Sequence, residues 1–135
     1  MAIQLSVAVR NARLDAIETA IGTSAILRIR SGAQPASCAT ADAGTVLATV
    51  TLPLNWMSAA SAGSKALLGS WVDTSADAAG TAGHYRIYDS AGTTCHAQGT
   101  VTATAGGGDM EVQNTSFAVG QQFTVTSYTL TDANA

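Results

Sequence analysis

Two hydrophobic periods divide the chain, one near 3.6 residues before Gly22 and one near two residues after it. Between Ser6 and Ile21, the residues Val7, Leu14, Ile17 and Ile21 recur at spacings of seven, three and four, with alanines between them. That spacing predicts a helix with one apolar stripe. Ser6 stands where an N-cap accepts from the amide of Val9 or its predecessor, and Gly22 supplies the left-handed residue that commonly ends a helix. Arg10, Arg13 and Glu18 are expected to face away from the stripe or run along its edge. The helix is expected to lie over one end of a β core, with docking on a neighbouring subunit as the alternative.

From Ala25 the period shortens. Leu27 and Ile29 alternate with Arg28 and Arg30 on a strand, which Gly32 to Gly44, with Pro35, interrupts as a loop. Val46, Ala48, Val50 and Leu52 mark a second strand, stopped by Pro53, which has no amide for a central ladder. Asn55 to Ser64 reads as a loop or short irregular strand around Trp56 and Met57, and Lys65 to Val72 as a third strand. Asp73 to Gly83 reads as a long turn-rich connection with almost nothing to anchor a core. Tyr85 to Tyr88 and Cys95 to Thr104 are expected to form a β-hairpin around Asp89-Ser90-Ala91-Gly92, a type I turn signal with Asp first and Gly last. After Gly106-Gly107-Gly108-Asp109, Met110 and Val112 alternate with Glu111 and Gln113. In the last strand Phe123 and Val125 hold one phase and Tyr128 and Leu130 the other, so a bulge near Ser127, or cover on both faces, is expected. Residues 1–22 thus read as an arm and amphipathic helix, and residues 23–135 as a seven- or eight-stranded antiparallel β-sandwich or jelly-roll-like barrel, a mainly β fold.

Composition changes the picture chiefly through what is missing. Only 11% of the 135 residues are charged, against roughly 25% in typical soluble domains. Just eleven of those charges follow Gly22. Threonine, serine, alanine and glycine stand in their place, a surface suited to either water or a subunit contact. The apolar fraction of 47% excludes general disorder, but much of it is alanine, so part of the burial is expected from neighbouring subunits. Net charge is −3, and the six basic residues are scattered, without the cationic cluster that nucleic acid demands. No apolar run approaches the roughly 20 residues that span a bilayer, and Met1-Ala2-Ile3-Gln4-Leu5 lacks a basic region followed by an apolar stretch. Neither a membrane nor nucleic acid is therefore expected as a partner, and synthesis is expected in the cytoplasm. Cys38 and Cys95 lie too far apart for a zinc or CxxC motif; unpaired thiols are the default expectation, with a disulfide formed after release from the cell as the alternative.

Candidate chemistry is sparse. His84 and His96 flank the expected hairpin, whose pairing allows them to approach one another, but a metal site needs a third ligand, and Asp89 is explained by its turn. Asp73, Thr74 and Asp77 offer oxygens for calcium without EF-hand spacing, and Asp73 and Asp77 as a carboxylate pair sit where turns favour aspartate. No Gly-x-Ser-x-Gly elbow is present, and Gly106-Gly107-Gly108 lacks the Lys-Ser/Thr of a phosphate loop. Trp56, Trp71, Tyr85 and Tyr88 suit either a carbohydrate-stacking platform or ordinary core packing. No catalytic, cofactor-binding or metal-binding residue is assigned, no cofactor is implied, and a non-enzymatic role is expected.

Several stretches together resemble small virion proteins of tailed bacteriophages. They are Asn11-Ala12-Arg13-Leu14-Asp15-Ala16-Ile17, Leu27-Arg28-Ile29 with Gly32 and Pro35-Ala36, and Gly44 with Leu47-Ala48. Gly80-Thr81-Ala82-Gly83-His84-Tyr85-Arg86-Ile87, Asp89 with Gly92, and Gly99 with Val101 continue the likeness. The chain resembles head decoration, or cement, proteins, which sit on the capsid exterior and bridge major capsid subunits, often as trimers. The resemblance implies the major capsid protein and further copies of the chain as partners, in a homo-oligomer on the virion. The arm Met1 to Leu5 and the helix are the expected docking region, then the loops Gly32 to Gly44 and Asp73 to Gly83. A tail, baseplate or fibre-associated subunit is the alternative placement, and a carbohydrate-binding module for host attachment the alternative role.

Overall fold

The computed structural model describes residues 3–134, so Met1 and Ala2 of the expected docking arm lie outside the described residues. Helix α1 spans Val7–Ile21. Ser6 caps it by accepting from the amide of Val9 at 3.3 Å, and Gly22, at φ +96°, ends it by donating to the carbonyl of Glu18 at 2.9 Å. Nine strands follow among the described residues: β1 (Ile26–Ser31), β2 (Val46–Thr51), β3 (Ser64–Ala66), β4 (Val72–Asp73), β5 (Gly80–Tyr88), β6 (Cys95–Ala103), β7 (Met110–Val112), β8 (Ser116–Phe117) and β9 (Phe123–Thr131). They form one curled half-barrel sheet in the order β2-β1-β5-β6-β7-β9-β3, with β4 added to β9 and β8 to β5. The mainly β architecture behind one N-terminal helix matches the expectation from the sequence, with two very short strands raising the count.

Three local expectations are corrected. The stretch from Lys65 to Val72 is not continuous: it pairs with β9 through β3 and β4 and leaves the sheet around Gly69, which sits at φ +76°. The connection after Asp73 is shorter than its composition suggests, because the strand already begins at Gly80 and Ala76 is buried. And the sheet is mixed, since β6 and β7 pair in parallel, with Val101 opposite Met110 and Ala103 opposite Val112. Parallel neighbours usually need a crossover of a dozen or more residues. Here residues 104–109 suffice because the chain folds back against its own strand. Thr102 Oγ1 accepts from the Gly108 amide at 3.0 Å, Thr100 Oγ1 accepts from the Asp109 amide at 3.1 Å, and Asp109 accepts in return from the Thr100 amide at 2.9 Å. A Cβ on Gly106 or Gly108 would meet the Thr102 side chain at 2.7–2.8 Å, so the glycine run permits the return rather than merely punctuating it.

The expected hairpin and bulge both occur. β5 and β6 pair around Asp89, whose carbonyl accepts from the Gly92 amide at 2.9 Å and whose carboxylate accepts from Thr93 and Thr94. In β9, Ser127 faces Glu111 and Val125 faces Val112, leaving Thr126 as the extra residue; this puts Phe123, Val125 and Tyr128 all in the core despite their mixed phase. Leu27, Ile29, Leu47, Ile87, Met110 and Val112 fill the concave side with them.

Candidate interaction surfaces

The convex face of β1, β5 and β6 carries the arginines of the strands, and the loop from Gly32 to Thr45 closes over them. Asp42 is the hub: Oδ1 accepts from Arg86 Nη1 and Tyr88 OH, and Oδ2 from Arg30 Nη2, each at 2.7 Å. Burial works against its ionisation, but the bonds from Tyr88 and Arg86 and the charge of Arg30 outweigh it and hold the carboxyl below the usual carboxylate range. Arg86 also donates to Gln98 Oε1 and the Ser37 carbonyl, and Gln98 donates to the Pro35 carbonyl at 2.7 Å. Arg28 lies 4.7 Å over the Tyr88 ring. The unpaired-thiol expectation is corrected at the same place: Cys38 in this loop is bonded to Cys95 at the start of β6, their Cα atoms 5.2 Å apart. The hairpin does not bring the histidines together. His84 pairs with Thr100 across the strands, is fully buried and donates Nδ1–H to the Gly32 carbonyl at 2.9 Å, whereas His96 is exposed near the Asp89 turn.

Helix α1 meets the sheet in a way its apolar spacing does not suggest. Of the expected stripe, Leu14 and Ile21 are buried, but Val7 and Ile17 are exposed at 46% and 37%. Polar side chains do most of the docking. Arg10 donates to the Asp132 carbonyl, Asn11 accepts from the Gly63 amide, Asp15 from Ala60, and Glu18 from both Trp56 and Met57. Lys65, buried on β3, gives its three protons to Asp15, Glu18 and the Ser58 carbonyl at 2.8, 2.9 and 2.8 Å. Asp15 is held below its usual range by its bond from Lys65 and then by the Ala60 amide; burial opposes the charge of Lys65, but the two carboxylates raise its affinity for the proton. Thus Arg10 and Glu18 face the sheet, not away from it. The outward face carries Ala8, Ala12, Ala16 and Ala20, four residues apart and all exposed, beside Val9 at 45% exposure. Ile3 in the arm before the helix is 84% exposed, and Leu5 donates to the Asn134 side chain.

Of the two readings of the aromatic side chains, core packing holds. Trp56, Trp71, Tyr85 and Tyr88 are all at least 97% buried, so none offers a ring face to a sugar. Trp56, Trp71, Tyr128 and Tyr85 instead run as a chain of ring contacts through the core, with centroids 5.9, 5.5 and 5.3 Å apart. Desolvation pushes the Tyr85 hydroxyl well above its ordinary range, and it donates to Tyr128 OH at 3.0 Å. Asp73 and Asp77 converge on one residue, accepting from the Thr49 amide at 3.0 Å and its hydroxyl at 2.8 Å. Among the described residues no group of three or more His, Cys, Asp or Glu is placed to share a metal ion, and no helix is long and apolar enough to cross a membrane.

Surface clefts among the described residues include the following. One of about 570 Å³ lies between α1 and the loop around Leu54 and contains the Asp15–Glu18–Lys65 cluster, and one of about 420 Å³ runs beside Arg13, Leu14, Ile17 and Asp132. Another, about 550 Å³, is lined by Gln113, Asn114, Gln121, Gln122 and the edges of Phe117 and Phe123. The hydrophobic pattern does not mark it, although Gln113-Asn114 and Gln121-Gln122 are the two places where amide side chains are adjacent along the chain. The chain matches no family model, no curated protein and no solved structure.

Proposed function

We propose that the chain is a non-enzymatic structural protein of a tailed-bacteriophage particle, a head decoration protein that binds the assembled major capsid shell through the outer face of α1 and the arm before it. The observation that carries this reading is the inverted docking of the helix. By spending Arg10, Asn11, Asp15 and Glu18 on the sheet, the fold leaves the alanine ridge, Val9 and Ile17 unpartnered on the outside. Small side chains four residues apart let another backbone approach closely, and their desolvation is cheap. A ligand that binds the assembled shell but not free subunits stabilises the shell by mass action, which needs no catalytic group. The thinly charged exterior and the resemblance in sequence support the same role.

Co-sedimentation with mature phage heads is the test. The wild-type chain is expected to coat heads saturably in many copies, and Ala12→Glu and Val9→Glu each to weaken binding at least about tenfold, as burying an unpaired charge demands. Both substitutions lie on an exposed face, so their unfolding in urea should match that of the wild type. Absence of binding to heads, or binding indifferent to both variants, would overturn the proposal. A few copies per particle, located on the tail or baseplate, would assign the chain to that part of the virion instead.

A further inference from the structure

We infer that the amide-lined cleft between β7, β8 and β9 is a binding site for a neutral, hydroxyl-rich ligand, that is, a glycan. The two adjacent amide pairs of the chain, Gln113-Asn114 and Gln121-Gln122, are about eight residues apart in sequence, yet the fold sets them around one cleft. What matters is which of their hydrogen-bonding groups remain unspent. Asn114 Oδ1 accepts from the Ser116 amide and Gln121 Oε1 from the Ala118 amide, both near 2.9–3.0 Å, which fixes these two side chains with their NH₂ groups left over. The side-chain amides of Gln113 and Gln122 belong to exposed residues and engage no other described residue. The cleft therefore presents two complete amides and two oriented NH₂ donors above a tilted Phe117–Phe123 pair with centroids 5.1 Å apart.

Each competing ligand class meets an obstacle. No ionisable side chain lines the cleft, so nothing there selects a charged ligand. A peptide adding as a strand needs a run of free backbone groups, but the backbone amides of Gln113, Ser116, Ala118, Gly120 and Gln121 are bonded within the chain, which interrupts any such run past Asn114 and Gln122. Individual side-chain amides, each both donor and acceptor, suit hydroxyl groups, which are likewise both. The cleft beside Lys65 differs in this respect, because its charged groups are already paired with one another. The site owes nothing to the particle reading and stands or falls separately from it.

The test is a titration of the full ¹⁵N-labelled chain with maltotetraose and with chitotetraose, following the side-chain NH₂ resonances of Gln113 and Gln122. At least one sugar is expected to shift both resonances saturably with a Kd of about 1 mM. Gln113→Ala and Gln122→Ala should each weaken that binding about fivefold, as loss of one neutral hydrogen bond does, while Gln4→Ala, remote in sequence and exposed, leaves it unchanged. Three results would overturn the site: no shift with either sugar, binding that survives both glutamine substitutions together, or a neutral Ala-Ser hexapeptide that moves the same resonances at lower concentration than the sugars.

Discussion

Glu18 shows how much one side chain can carry. Its Oε1 accepts from the Trp56 and Met57 amides at 3.0 and 3.1 Å, while Oε2 lies 2.9 Å from the ammonium of Lys65. The two amides would otherwise lie in or near the core without partners, and Lys65 would keep only Asp15 and the Ser58 carbonyl. A buried donor left unmade costs its full desolvation, and a buried charge costs more. Glu18→Ala should therefore destabilise the fold by about 3 kcal/mol. Glu18→Gln, which still accepts from the two amides but no longer neutralises Lys65, should lose roughly half as much. Ile17 makes the contrast: it belongs to the apolar stripe by spacing, yet Ile17→Ala should cost under about 1 kcal/mol because the side chain is 37% exposed. Urea midpoints of the three variants check the ordering. An Ile17 variant weaker than the Glu18 variants would return the helix to apolar docking.

At the scale of elements, the latch between α1 and β3 is a charged one, and this sets how it responds to pH. The carboxyl of Asp15 titrates below its ordinary value of 3.8 in the fold, so the unfolded chain binds that proton more readily. Stability from the group is present above about pH 4 and is lost as pH falls through the lower, folded value. Lys65 has the opposite sign, contributing below 10.5 and losing only at higher pH still, so acid and not neutral solution undoes the latch. Urea midpoints between pH 5 and pH 2.5 should fall for the wild type, and the fall should be shallower in Lys65→Met; equal slopes would remove the latch as the cause. The same element shows what could be read from the chain. Ser6, Gly22 and the 3.6-residue period carry local information, and the helix lies where they put it. Its facing was not legible, because Asn11, Asp15 and Glu18 find partners 38 to 52 positions away, at Trp56, Ala60, Gly63 and Lys65. Likewise the Thr126 bulge announced itself in a phase slip, whereas the parallel return of β7 depends on Thr100, Thr102 and Asp109 closing on each other, which alternation does not encode. For the amide cleft the residues were in view but their assembly was not, since β8 draws Ser116 and Phe117 to the far strand β5.

Across the whole molecule, two attachments of different kinds stand out on the convex face. One is the Asp42 hub with Arg30, Arg86 and Tyr88; the other is the covalent bond between Cys38 and Cys95, which closes a loop with a sequence separation of 57. Constraint of the unfolded chain by a loop of that length is worth about 4 kcal/mol in the chain-entropy account. A domain with so much alanine in its apolar fraction has only modest large-side-chain burial to fall back on, so a contribution of this size is a large share of a net stability that is typically 5–15 kcal/mol. Reduction with a dithiol, or replacement of both cysteines by serine, should therefore lower the urea midpoint by an amount corresponding to about 4 kcal/mol. The folded state itself should survive at 25 °C with the ring packing of Trp56 and Trp71 intact, since neither attachment touches the concave core. Near-ultraviolet circular dichroism of the reduced chain reads that second point directly. Asp42 should then matter more, because in the reduced chain its carboxylate supplies the charge-assisted bonds that, with the carbonyls of Gly32, Pro35 and Ser37, keep the loop on the strands; Asp42→Asn should raise proteolysis between Gly32 and Gly44 in the reduced protein and leave it almost unchanged in the oxidised one. Equal midpoints for oxidised and reduced chains would show instead that the polar hub fixes the loop without the bond.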